Sequence, residues 1–169
     1  ELGLINPTST PGCPETNGVA EQTVKEVKNG TRSAMIQSGF NISWWECASE
    51  CFCFHENILP RSRWDGDPKQ SAYQRRHGEA CKAAVIPFGA LVTFPPRTCD
   101  KFDTQWQFGV LLGVGMKPGG QFNNYFVANT KDFEATRNDF SRVYVHSVKE
   151  VKWSGHNQLN FPLFAARQM

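Results

Sequence analysis

No apolar run in the sequence approaches the roughly 20 residues that a bilayer-spanning helix needs, so no membrane partner is expected. The chain starts at Glu1, which reads as an internal cut, and nothing there has the charged-then-apolar layout of a secretory leader. Cysteine is too sparse for a disulfide scaffold, with six in 169 residues. Without a leader those thiols are expected to stay reduced, in a nuclear or cytoplasmic protein. Asn29-Gly30-Thr31 and Asn41-Ile42-Ser43 match glycosylation sequons, but both fall in or beside predicted helices of a chain read as intracellular. Neither is assigned that role, and no internal repeat is seen.

What remains is globular in texture. A hydrophobic content of 40% is ordinary for a folded protein, and the length allows one core or two small ones. The net charge of +2 conceals an asymmetry. Residues 1–60 hold three Lys/Arg against seven Asp/Glu, or −4, and residues 61–169 hold fifteen against nine, or +6. A basic second part suits a polyanionic partner.

Along the chain, Leu2-Gly3 reads as a helix end, Leu4 to Asn6 as a short strand, and Pro7 to Asn17 as a loop that delivers the chain to a helix. From Gly18 to about Gln37, Ala20, Val24, Val27, Thr31, Ala34, Met35 and Ser38 recur at helical spacing. Gly39 closes that helix, and Ser43-Trp44-Trp45-Glu46 has the form of a capping box, with Ile42 and Cys47 placed as a staple. The second helix runs to about Leu59, is stopped by Pro60, and carries so broad an apolar stripe that it is expected to be largely buried. Ser71 to His77, closed by Gly78, predicts one short helix.

Beyond Val85 the texture changes to short apolar runs between Gly and Pro: Ala90 to Phe94, Phe108 to Val114, Tyr125 to Ala128 and Arg142 to Val151. With turns at Pro95-Pro96, Lys117 to Gly120 and Asn129 to Asp132, these suit a small antiparallel barrel of the SH3 or OB sort. The expected class is therefore α+β. A helical part covers 1–60, a linker with a short helix 61–84, the β unit 85–153, and a tail without periodicity 154–169.

On the first helix a second stripe runs one residue out of phase with the apolar one: Glu21, Lys25, Lys28 and Arg32 share a face. A carboxylate followed by three cations fits a metal ligand beside a track for phosphates. Taken alone, the stripe better fits a solvated face in which Glu21 pairs with Lys25 one turn on.

The stripe follows Pro14-Glu15-Thr16-Asn17-Gly18-Val19-Ala20-Glu21, and that segment resembles the P-Q-x-N-G-V-x-E signature of retroviral and copia-like retrotransposon integrases. In that family the glutamate is the third member of a D,D,E triad, and cations one and two turns beyond it approach DNA. Lys69-Gln70-Ser71-Ala72-Tyr73, Pro87-Phe88-Gly89 and Gly109-Val110-Leu111-Leu112-Gly113 extend the resemblance over about residues 1–152. Glu15 stands where the family usually has glutamine, which adds negative charge near incoming DNA, and Gln22 where arginine is frequent.

The resemblance implies the C-terminal helical part of an RNase H-like integrase core followed by an SH3-like barrel. It implies Glu21 as catalytic residue and metal ligand, with Mg²⁺ or Mn²⁺ in the complete enzyme. Asn17, Lys25, Lys28 and Arg32, joined by Lys149 and Lys152 of the β unit, would contact element and target DNA in a homo-oligomer. Two-metal chemistry needs more than one carboxylate, and the first aspartate in the sequence is Asp65, far downstream of Glu21. These residues alone are therefore expected to be inactive. The competing expectation is a non-catalytic module from a decayed or domesticated element that binds nucleic acid or a protein.

Cys47, Cys51, Cys53 and His55 raise the question of zinc. On a helix Cys53 points about 200° away from Cys51, so the set cannot converge on one tetrahedral ion, and packing is the expected role. His77, His146 and His156 are isolated in sequence. Lys101, Lys117 and Arg142 are read as possible neighbours of Lys149 and Lys152 on one rim of the β unit.

Overall fold

The structure is a computed structural model that describes residues 17–60, 69–96, 106–136, 143–155 and 158–168. The expected strand at Leu4 to Asn6, the loop before Asn17, and Glu15, Lys101, Arg142 and His156 lie outside the described residues.

Helix α1 spans Gly18–Ser38. It ends where expected, because Gly39 takes the left-handed conformation (φ 73°) that closes a helix and returns its N–H to Met35 O at 3.1 Å. The next helix starts differently from the capping box. Asn41, not Ser43, is the cap, its Oδ1 accepting from Ser43 N–H at 3.4 Å. This opens a 3-10 turn, Ile42–Trp44, and α-helical bonding begins only with α2, Trp45–Ile58. Ile42, expected to staple the entry, is 73% exposed. Pro60 pushes Leu59 into extended backbone (ψ 137°) and stops α2. Helix α3, Ala72–His77, is capped by Ser71 Oγ, which accepts from Gln74 N–H at 3.1 Å, and ends at Gly78.

Four strands follow among the described residues: β1 Leu91–Phe94, β2 Gln107–Met116, β3 Phe122–Asn129 and β4 Val145–Val148. They form one antiparallel sheet in the order β1-β2-β3-β4. The β2–β3 hairpin turns at Gly119 and Gly120, whose positive φ lets Lys117 N–H reach Gln121 O at 2.8 Å. The sheet is open rather than closed. Among the described residues its β1 edge is met by one bridge, Thr93 to Lys152, with N–H···O distances of 2.8 and 2.9 Å, and by Leu91 N–H on Asn160 O.

Two expectations fail here. The turn read at Asn129 to Asp132 is the start of a helix, α4 (Thr130–Thr136), because Asn129 Oδ1 accepts from Lys131 N–H at 3.0 Å and Phe133 finds a place in the core. The tail, read as lacking periodicity, holds α5, Pro162–Gln168, with proline at its first position and Leu163 packed against the core.

Strand alternation explains the interior. Val110 and Leu112 point to one face of β2, where Met35, Phe40, Trp44, Ala48, Cys51, Phe133 and Val143 cover them. Leu111 points to the other, among Phe54, Ile86, Val92, Phe94, Tyr125 and Val127. Helix α2 serves both clusters, Cys51 the first and Phe54 the second. Side chains of the helical segment and the sheet thus pack in common clusters across residues 61–84. Trp44 and Phe94 have no exposed surface, each burial contributing on the order of 2–3 kcal/mol.

Candidate nucleic-acid interface

Helix α1 is anchored by its second half. Met35 and Ser38 are its only buried residues, and Gly30 lies so close to α2 that a Cβ there would overlap the Phe52 ring. The first half projects, with Val19 82% and Val24 52% exposed. The apolar stripe read from sequence is real as a face, but among the described residues nothing covers its beginning.

Glu21, Lys25, Lys28 and Arg32 are all exposed along this projecting face. They line a shallow groove of about 410 Å³ together with Asn17, Ala20, Val24 and Asn29. From Glu21 to Arg32 the track is about 16 Å long. The i,i+4 pairing of Glu21 with Lys25 does not form, and none of the four has an ion pair or side-chain hydrogen bond among the described residues. Their neighbours do pair: Gln22 Nε2 donates to Glu26 Oε1 at 3.1 Å and Thr23 Oγ1 to Val19 O at 2.9 Å. Asn17 stands at the cap position of α1 without a side-chain cap bond, exposed. Glu21 lies in the first turn, where the helix dipole favours an anion. Three cations against one carboxylate leave the face attractive to polyanions.

The two lysines expected in the β unit lie elsewhere and are engaged. Lys149 Nζ donates to Asn123 O at 2.9 Å and to its Oδ1 at 2.8 Å, tying the end of β4 to β3. Lys152 Nζ sits 3.8 Å from the centroid of the Trp106 ring, a cation–π contact beside its bridge to β1. Lys117 is exposed on the β2–β3 turn.

Among the described residues no three His, Cys, Asp or Glu side chains are grouped to hold a metal ion, so Glu21 is a single carboxylate here and does not by itself fit a resident cation. Cys47, Cys51, Cys53 and Cys81 are free thiols. Burial pushes the Cys51 thiol up to about 12 and also raises Cys47 and Cys53, which favours the protonated thiols in their packed positions. Burial lowers the pKa of His55, opposed by its hydrogen bond with the Ile86 backbone. His77 lies against Tyr73, with ring centroids 4.4 Å apart, and His146 between Phe94 and Tyr144.

Sequence reasoning missed a second groove, between α1, the start of α2 and α5, with Trp45 on its wall. The stripe had placed Trp45 inside, yet it is 52% exposed. The available signal was its adjacency to Trp44, since neighbours on a helix diverge by about 100° and one that points straight into a core leaves the other toward its edge. Comparison with protein-family models, with curated proteins and with solved structures finds no match in any of the three.

Proposed function

We propose that this chain is part of an integrase-type polynucleotidyl transferase, comprising the C-terminal helical part of an RNase H-like core and an SH3-like β unit. Glu21 is the glutamate of its D,D,E triad, and Lys25, Lys28 and Arg32 hold the DNA backbone. The observation that carries this is the unpaired stripe on α1: one acid in the first turn and three cations on the same exposed face, none consumed by intramolecular pairing among the described residues. The exposed Val19 and Val24 suit a helix whose first half packs against further parts of such a core.

In the complete enzyme Mg²⁺ or Mn²⁺ would activate the attacking oxygen and stabilise the leaving one. Glu21 would be one of its ligands, the two aspartates coming from outside the 169 residues. This chain alone is expected to show no strand transfer or nuclease activity. DNA, held by a homo-oligomer, is the partner; Asn17 lies at the near end of the track, and Lys149 and Lys152 are secondary contacts because each amine is already engaged.

The test is the double reversal Lys25→Glu and Lys28→Glu, which should abolish salt-dependent duplex binding; unchanged binding counts against the track. The lone carboxylate favours a second reading, a module that binds DNA without catalysis. The two separate in a chain that also carries the aspartates. Glu21→Gln there eliminates metal-dependent strand transfer while sparing DNA binding if Glu21 is catalytic, and no such activity exists to lose if the protein only binds.

A further inference from the structure

The second groove shares only Lys28 and Arg32 with the Glu21 face. It holds about 560 Å³, within the usual range of binding pockets. Buried Met35 and Phe40 contribute to its lining, and its walls are Ile36, Ile42 and Trp45, which are 65%, 73% and 52% exposed. Three large apolar side chains left in water around one depression are the anatomy of a docking surface rather than of scattered surface residues. Among the described residues its charged lining is of one sign: Lys28 and Arg32 from α1 and Arg167 from α5, with no aspartate or glutamate.

We propose that this groove docks an acidic amphipathic helix of a partner protein. The helix lays apolar side chains, spaced at i, i+3 or i+4 and i+7, against Ile36, Ile42 and Trp45, and its flanking carboxylates meet Lys28, Arg32 and Arg167. Charge complementarity selects an anionic occupant. The wall chemistry then selects peptide over nucleic acid. Bases stack on aromatic faces, and Trp45 is the one exposed aromatic among the lining residues, whereas the branched aliphatic Ile36 and Ile42 match leucine-like side chains.

The test uses the full 169-residue chain and a labelled synthetic helix of about four turns, with leucines on one face and glutamates on the rest, followed by fluorescence anisotropy. Its glutamine counterpart and a single-stranded oligonucleotide serve as comparison probes. The glutamate helix should bind, its glutamine counterpart should bind more weakly, and Ile36→Asp and Arg167→Glu should each weaken binding by about tenfold or more. Ile36 and Arg167 are exposed, so these variants retain the fold. Lys25→Glu, which does not line the groove, should leave peptide binding unchanged while lowering duplex binding, so this test and that of the DNA track can fail separately. Absence of binding by the glutamate helix, equal binding by the unaltered chain and both groove variants, or an oligonucleotide whose binding is lost with Ile36→Asp would overturn the proposal, the last by identifying nucleic acid as the occupant.

Discussion

Lys25, Lys28 and Arg32 lie on one exposed face of α1, over about 10 Å of its axis. One strand of duplex DNA rises about 3.4 Å per phosphate, so the three cations match about three phosphates of a single strand. Each neutralised phosphate adds about −0.9 to the slope of log affinity against log salt. Full engagement therefore contributes about −2.7, a loss of roughly 40-fold between about 50 and 200 mM salt. Alanine at Lys25 and Lys28 together should flatten the slope by about 1.8, and alanine at all three by about 2.7. The assay is anisotropy of a labelled duplex over a salt series. Because the three side chains are exposed and unpaired among the described residues, the fold should be unaffected. Arg75→Ala and Arg76→Ala on α3, both exposed and not among the residues lining the Glu21 groove, are the controls. A slope unchanged in the triple variant, or changed as much by the α3 controls, would refute the reasoning, since the cations of α1 would then be solubilising charge.

Gly30→Ala gains up to about 1 kcal/mol of helix propensity but drives a Cβ into Phe52, costing about 1–3 kcal/mol; net destabilisation in urea unfolding, relieved by Phe52→Leu, is expected, and a stabilised Gly30→Ala would show that α1 and α2 do not cross so closely. His55, whose pKa burial lowers from 6.5, stays neutral in the fold while the unfolded chain binds a proton, so stability is full above pH 6.5 and falls as pH drops from there through the lowered folded value. That fall is at most about 1.4 kcal/mol per pH unit. The difference between the native chain and His55→Leu over that window isolates the effect, and parallel pH profiles would contradict it.

Elements whose ends are decided locally were legible in the sequence. Gly39, Ser71 and Gly78 set the ends of α1 and α3 through their own backbone and hydroxyl chemistry. Strand β2 was visible as an apolar run buried on both faces. What escaped depended on distant partners. Asn129-Thr130-Lys131-Asp132 is a turn by composition, and the burial of Phe133 against Phe40 and Trp44 adds to the local Asn129 cap to make it a helix. The tail has too few residues to show a period, yet Leu163 still finds the core. At the site, periodicity assigned Glu21, Lys25, Lys28 and Arg32 to one face but could not say whether that face was covered. For the same reason Val24 was expected inside and Trp45 as part of a buried stripe, whereas both are about half exposed.

The division of α1 into an anchored half and a presented half explains how such a face can be specified without a core behind it. The costly step in forming a helix is its first turn; extension then adds one hydrogen bond per residue fixed. Packing supplies that nucleus around Gly30, Met35 and Ser38, and the chain propagates from there toward Asn17 on backbone bonding and the local side-chain bonds of Gln22 to Glu26 and Thr23 to Val19. Glu21 and the three cations are therefore aligned by helical period and not by side-chain contacts. Substitutions among them change charge with little effect on stability, and a break in the helix between Glu21 and Gly30 would disperse the face while leaving both core clusters intact.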